Sequence, residues 1–123
     1  MHSAENALLE SFIKSLHHLS EHTRSGYQRD LRYLKEYCED YDVYKWSDLD
    51  GRQLRNFVAS RHRKGTGGRS IQRNLSALRA FYRYLLEQGK VQNNPAEGII
   101  APKTPRKLPK VLDVDQTAQL IEI

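Results

Sequence analysis

The sequence predicts an all-α protein, and three observations lead to this prediction. All four prolines lie at positions 95, 102, 105 and 109, so nothing earlier in the chain forbids helix. The segments before Pro95 carry apolar residues at three- and four-residue steps, which is the helical period. Short breaks that contain Ser, Asp or Gly separate these segments. We therefore expect a bundle of four to five helices, followed by an extended basic linker at the carboxyl end.

The first two expected helices are separated at Ser20. The first covers residues 4–19, with an apolar stripe of Leu8, Phe12, Leu16 and Leu19. Ser20 suits the N-cap of the second helix, and Glu21 adds a favourable negative charge to its first turn. This helix is expected to run to about residue 40. Its inner face carries Tyr27, Leu31, Leu34 and Cys38.

A connector rich in Tyr and Asp precedes the third expected helix. Its Trp46 and Leu49 are predicted to enter the core. Asp50 followed by Gln53 is a capping-box pattern and predicts the start of the third helix. The expected end is at Gly65. The inner face of this helix would be formed by Leu54, Phe57 and Val58.

The fourth expected helix has two contrasting faces. At about 100° per residue, its apolar side chains stack on one side: Ile71, Leu75, Leu78, Tyr82 and Leu85. Its arginines, with Gln and Ser between them, fall within about 120° of each other on another side. We call this set the cationic stripe, and it consists of Arg69, Gln72, Arg73, Ser76, Arg79 and Arg83. Guanidinium and amide groups on one helical face suit phosphate contacts and some reading of base edges.

Gly89 is predicted to end the fourth helix, and Asn94 followed by Pro95 predicts a short fifth helix at about 95–100. Residues 101–110 hold four positive charges and no acid, and their prolines favour an extended tether. Asp113 with Gln116 resembles another capping box. We therefore divide the chain into a helical domain at 1–100, a basic interdomain linker at 101–112, and the start of a truncated second domain at 113–123.

Charge is distributed unevenly along the chain. Residues 1–50 contain six basic and ten acidic side chains, whereas residues 51–110 contain 14 basic and two acidic ones. The chain as a whole carries a net charge of +5. Such asymmetry indicates a polyanionic partner more than a merely solvated charged surface.

Composition and cysteine content exclude several classes. One cysteine, Cys38, can form no intrachain disulfide, which suits a reducing compartment. No apolar run approaches 18 residues, and the start of the chain lacks a signal-peptide pattern. We expect a soluble cytoplasmic protein. His18 and His22 have a spacing that suits a metal, but Ser20 breaks the helix between them, and no metal or other cofactor is predicted.

Four segments, in this order and spacing, resemble one known family. They are HTRSGYQRDLRYL (22–34), SIQRNLSALRAFYRYL (70–85), NNPAEGI (93–99) and PKTPRKLPKVL (102–112). Together they resemble the N-terminal, SAM-like core-binding domain of bacterial tyrosine recombinases. Within that family they are most similar to the Xer-type resolvases of chromosome dimers, and to the XerC branch more than to XerD. The Gly67 position departs from the pattern, because the family usually places Ser or Thr at this helix cap.

The resemblance implies a helical half of a C-shaped clamp around double-stranded DNA, with the second and fourth helices facing a recombination half-site. It implies a paralogous, XerD-like recombinase protomer as partner, in a tetrameric synapse on DNA, while the isolated fragment would be a monomer without membrane association. The DNA-binding residues carried over by position are Thr23, Arg24, Tyr27 and Arg29, then Arg69, Ser70, Gln72, Arg73, Ser76 and Arg79, and on the tether Lys103, Arg106, Lys107 and Lys110.

The family's reaction is transesterification at a DNA phosphate through a tyrosine nucleophile, with neither metal nor nucleotide. Its catalytic residues belong to the second domain, so no catalytic residue is expected in this chain. Three other readings stay open. The least favoured is an independent nuclease that would use carboxylates and histidines, because no paired carboxylate joins His18 and His22. The chain could be the core-binding domain of a phage or mobile-element integrase, or a helical protein-interaction module that docks through its first helix.

Overall fold

A computed structural model describes residues 3–101 of the chain. This part contains four α-helices and a 3-10 turn and no strand, which confirms the all-α prediction. The elements are α1 (Ser3–Lys14), α2 (Glu21–Asp40), the 3-10 turn Trp46–Asp48, α3 (Gly51–Arg63) and α4 (Gly68–Glu87). Helix α4 packs against each of the other three, and α1 also packs on α2.

The predicted N-caps of α2 and α3 are confirmed. The Ser20 hydroxyl accepts from the Thr23 amide at 3.1 Å. Asp50 and Gln53 form the reciprocal capping box, with bonds of 2.8 and 3.0 Å between each side chain and the other residue's amide. These bonds satisfy first-turn amides that have no partner within the helix.

Three helices end in the same way, with a residue at positive φ. Gly65 and Gly89, the predicted stops, have φ of 93° and 72° after α3 and α4. After α2 the position is taken by Asp42, with φ of 58°. In each case the next amide bonds back to a carbonyl five residues earlier, as in Val43 to Cys38 at 2.8 Å. This is the Schellman arrangement, which satisfies carbonyls at a helix end.

The core is formed by the predicted inner faces. Every apolar residue predicted for the inner faces of α3 and α4 is buried, and so are Leu31, Leu34 and Cys38 of α2. Trp46 fixes the connector. Its indole Nε1 donates to the Glu5 carbonyl at 2.8 Å, and its own carbonyl accepts from the Tyr82 hydroxyl at 2.6 Å. The connector is thereby held to α1 and α4 at once.

The first predicted helix is shorter than expected. The α-helix ends at Lys14, and residues 15–18 form turns instead of continuing to 19. The Ser15 hydroxyl donates to the Phe12 carbonyl at 2.6 Å. A serine side chain that bonds the preceding turn competes with the helical pattern, which gives a physical reason for the early end. Leu16 is nevertheless buried, so the predicted apolar stripe is only partly helical.

The predicted fifth helix at 95–100 is absent from the described residues, and turns replace it. The Asn94 side chain does cap this segment, because its Oδ1 accepts from the Ala96 amide at 3.0 Å. The following bonds join residues three apart, such as Ile99 to Ala96 at 3.3 Å. The hydrogen bonds of so few residues cannot offset the free-energy cost of nucleating a helix. All of the expected linker at 101–112 except residue 101, and the expected second-domain start at 113–123, lie outside the described residues.

Candidate nucleic-acid interface

The cationic stripe on α4 has an exposed centre and half-buried edges. At about 100° per residue, Arg73 and Arg79 lie about 120° apart and mark the two edges. Both are partly buried. The side chains between them are exposed, and they are Arg69, Gln72, Ser76 and Arg83. The polar face that the sequence predicted is therefore present, but only its centre is turned wholly to solvent.

The edge at Arg73 is held by α2. Arg73 Nε donates to Asp30 Oδ2 at 2.8 Å, and Nη2 donates to Oδ1 at 2.9 Å. The Asp30 side chain is only 4% exposed, whereas that of Arg73 is 32% exposed. The hydrogen bonds to Asp30 raise the pKa of the Arg73 guanidinium above its ordinary value, although partial burial opposes them. This is a bidentate, charge-assisted pair of the strongest kind.

Gly26 makes room for that arginine. It lies one helical turn before Asp30 on α2, and both face α4. A methyl group on Gly26 would lie 2.8 Å from Arg73 Cδ and 3.0 Å from its Nε. Real side chains do not approach so closely. The arginine can lie across α2 only because position 26 has no side chain.

The other edge, at Arg79, is held by the segment that follows α4. Arg79 Nη2 donates to the Ile99 carbonyl. The Arg79 carbonyl in turn accepts from Asn94 Nδ2 at 3.1 Å. Ile99 and Ala96 are buried against the bundle. These two hydrogen bonds hold residues 94–99 against α4.

The predicted DNA-binding residues of α2 surround the point where Arg73 crosses it. Thr23 Oγ1 accepts from the Ser20 hydroxyl at 2.9 Å, so it belongs to the helix cap. Tyr27 is half-buried and packs against the core, and Arg29 is exposed. Two residues apart on a helix, Tyr27 and Arg29 point about 160° from each other. Arg24 is partly buried, and its Nε is buried without a hydrogen-bond partner among the described residues.

Of the remaining predicted site residues, Ser70 is half-buried near the start of α4. The predicted residues of the tether lie outside the described residues, and they are Lys103, Arg106, Lys107 and Lys110. Neither Asp30 nor Gly26 was predicted from the sequence to be part of this surface. A glycine inside a helix, four residues before an aspartate on the same face, was the available signal.

Three further findings bear on the class of site. Within residues 3–101, no three His, Cys, Asp or Glu side chains lie close enough together to hold a metal ion. No helix in the same part of the chain is long and apolar enough to cross a membrane. Cys38 is fully buried, and burial raises the pKa of its thiol to about 12, so the reactive thiolate is suppressed.

The helical fold and the cationic face of α4 together define a small all-α domain with one basic face. Residues 9–89 match the family model of the phage integrase N-terminal SAM-like domain. The chain belongs to this family. No solved structure gives a significant match.

Several curated relatives of the chain are named tyrosine recombinase XerC. The chain is 46% identical over 110 residues to the tyrosine recombinase XerC of Pseudomonas syringae pv. syringae, and the match covers 89% of the chain and 37% of the relative. The XerC of Stutzerimonas stutzeri is 42% identical over 90% of the chain and 37% of the relative. The XerC of Azotobacter vinelandii is 44% identical to the chain, and the match covers 93% of the chain and 39% of the relative. The chain thus spans less than two fifths of the length of these relatives.

Proposed function

We propose that this chain is the DNA-binding half-clamp of a site-specific tyrosine recombinase that resolves chromosome and plasmid dimers. The observation that carries the proposal is the exposed centre of the cationic stripe, where Arg69 and Arg83 flank Gln72 and Ser76 without an intervening acid. Membership of the phage integrase N-terminal family and the similarity to proteins named XerC support it. The names of these relatives favour a XerC-like role over that of a phage or mobile-element integrase.

In this proposal, α4 lies against the DNA with its stripe toward the phosphates. Arg69 and Arg83 are about four turns apart, which at 1.5 Å per residue places them about 20 Å from each other along the helix. They can therefore contact well-separated phosphates, while Gln72 and Ser76 between them reach base edges or sugar–phosphate oxygens. Thr23, Arg24, Tyr27 and Arg29 of α2 would flank this contact. The cations of the tether would follow the backbone as the chain crosses the duplex.

The chemistry would belong to the whole protein. The parent enzyme would cut and rejoin DNA through a 3′-phosphotyrosine, together with a XerD-like paralogue in a tetramer on DNA. This chain would bind the half-site without cutting it. A suicide DNA substrate, which traps a covalent intermediate, should give no covalent adduct with this chain in the presence or absence of magnesium. A trapped adduct would contradict the assignment of the catalytic residues to another part of the protein.

The DNA-binding proposal is tested by fluorescence anisotropy with a labelled duplex of about 30 base pairs over a salt series. Arg69→Ala and Arg83→Ala should each weaken binding and reduce the slope of log K against log salt by about 0.9 per lost phosphate contact. Both arginines are exposed. Their removal should leave the fold intact, because exposed substitutions away from special features change stability by about 0.5 kcal/mol or less.

Arg32→Ala is the matched control. Arg32 is also an exposed helical arginine, but it lies on α2 beside a groove of about 390 Å³ toward α1. It should lower the affinity and the salt slope less than either stripe variant. Equal effects of all three substitutions would show a non-specific charge effect, and no effect of the Arg69/Arg83 double variant would place the DNA elsewhere. Failure of the wild-type chain to bind any duplex would favour the protein-interaction module.

A further inference from the structure

Two features of α2 converge on the single side chain of Arg73, and neither is favourable for stability. Asp30 is a carboxylate taken out of water, and buried ion pairs are often no more stable than apolar pairs of similar size. Gly26 lies inside a helix, where alanine is more favourable. Both features are explained at once if the exact placement of the Arg73 guanidinium matters.

The geometry leaves one edge of the guanidinium unused by Asp30. An arginine has five N–H donors in a rigid plane. The pair with Asp30 uses Nε and Nη2, and Nη1 takes part in neither bond. The Nη1–Nη2 edge can therefore still donate to two adjacent acceptors. On DNA, such acceptors are the two oxygens of a phosphate or N7 and O6 of a guanine.

Arg73 itself lies at the border of the proposed DNA-facing surface. Arg69, one helical turn before Arg73, and Ser76, three residues after it, are the exposed stripe residues next to Arg73 on the helix surface. With 32% of its side chain exposed, Arg73 reaches solvent although its Nε side is tied down. A guanidinium that is oriented before binding loses less rotamer freedom when it meets its acceptors.

We propose that Asp30 is a positioning residue, which holds Arg73 with its Nη1–Nη2 edge toward a pair of acceptors on duplex DNA, and that Gly26 provides the space for this pose. The inference rests on the proposed function, because it requires DNA on the stripe. Asp30 does not touch the DNA in this proposal and acts only through Arg73.

A positioning role and a simple charge effect of Asp30 predict opposite changes in DNA affinity when Asp30 is neutralised. Asp30→Asn removes a negative charge beside a polyanion, so electrostatics alone would strengthen DNA binding. An asparagine has one acceptor oxygen and cannot accept the bidentate bond. If Asp30 positions Arg73, Asp30→Asn should instead weaken binding by about 5–10-fold, which corresponds to the ordering of one long side chain.

Gly26→Ala tests the same pose without changing any charge. Its methyl group should push Arg73 away from Asp30, while the added alanine favours the helix. We expect a similar 5–10-fold loss of affinity. Gln28→Ala, at an exposed position of α2, is the control and should bind as the wild type does. Circular dichroism melting confirms that each variant is folded at the binding temperature.

A nuclear magnetic resonance spectrum of the arginine Nε–H groups reports the pose directly. The Arg73 Nε–H signal should be protected from exchange in the wild type and lose that protection in Gly26→Ala and Asp30→Asn. Binding is measured by anisotropy with a 30-base-pair duplex, and with the same duplex containing 7-deazaguanine, which lacks N7. A variant penalty that shrinks on the 7-deazaguanine duplex identifies guanine as the acceptor, and an unchanged penalty identifies phosphate.

The outcomes separate this inference from the proposed function. If the wild type and the Arg69→Ala variant behave as proposed, but folded Asp30→Asn binds as tightly as the wild type or more tightly, Asp30 is only structural. If Gly26→Ala does not remain folded, Asp30→Asn alone decides. If the wild type binds no duplex at all, both the proposed function and the positioning role of Asp30 are wrong.

Discussion

Arg73 and Arg79 lie on opposite edges of one cationic stripe, six residues apart on α4, yet they are held by different kinds of partner. Arg73 is bound by a buried carboxylate on α2, which compensates its charge and fixes its plane. Arg79 is bound by the neutral carbonyl of Ile99, which fixes the exit segment and leaves the positive charge uncompensated by that bond. The first edge joins two helices, and the second joins a helix to the start of the tether.

This difference separates local from global consequences. Loss of Arg73 leaves the buried Asp30 carboxylate without its partner, whereas loss of Arg79 frees residues 94–99 at the surface of the bundle. The centre of the stripe does neither, because its exposed side chains hold no part of the fold together. The three parts of the stripe should therefore differ in what their removal does to stability, even before DNA is added.

The largest effect is expected for Arg73→Ala. Breaking a buried ion pair by removal of one partner costs about 3–5 kcal/mol, because the other charge stays buried and unpaired. As a third of the Arg73 side chain is exposed, we expect about 2–3 kcal/mol at neutral pH, measured by urea denaturation. The Asp30→Ala/Arg73→Ala double variant should recover part of this loss. A double variant that is less stable than Arg73→Ala would indicate that the unpaired Asp30 carboxylate is not what destabilises Arg73→Ala.

A smaller and local effect is expected for Arg79→Ala. It removes one hydrogen bond from a charged donor to a carbonyl, which is worth about 1.5–3 kcal/mol. We expect the lower end of that range, because the freed carbonyl can meet water when residues 94–101 come loose. Amide hydrogen exchange should become faster in Ala96–Ile99 and stay unchanged in α2. Faster exchange across α2 as well would remove the distinction between the two edges.

The smallest effect is expected at the start of α4, where Gly67 caps the helix without a side-chain hydrogen bond. Its φ of −71° and ψ of 166° suit any residue, and a Cβ there would meet open space. Gly67→Ser should therefore raise the free energy of unfolding by a few tenths of a kcal/mol, because serine supplies the missing acceptor. The gain should be the same in the wild type and in Arg79→Ala, since the two sites are independent. A loss of stability would show that the loop needs glycine here.

Much of the fold could be predicted because its signals are local. The caps at Ser20 and Asp50, the stops at Gly65 and Gly89, and the apolar face of α4 each depend on residues within a few positions of one another. The error in α1 arose where a side chain competed with the local pattern, because Ser15 bonded the Phe12 carbonyl and shortened the helix. The end of α2 at about residue 40 was predicted correctly, although Asp42 takes the left-handed position that glycine usually fills.

The candidate site divides along the same line. By itself, the sequence determined the four helices, the placement of the arginines on one face of α4, and the concentration of positive charge in residues 51–110, because the helical period and the residue types suffice for these. Only the tertiary structure decided which arginines are available. The pairing of Arg73 with Asp30, 43 positions away, and of Arg79 with Ile99, 20 positions away, depends on how elements pack. A helical wheel gives the direction of a side chain but not what lies in that direction.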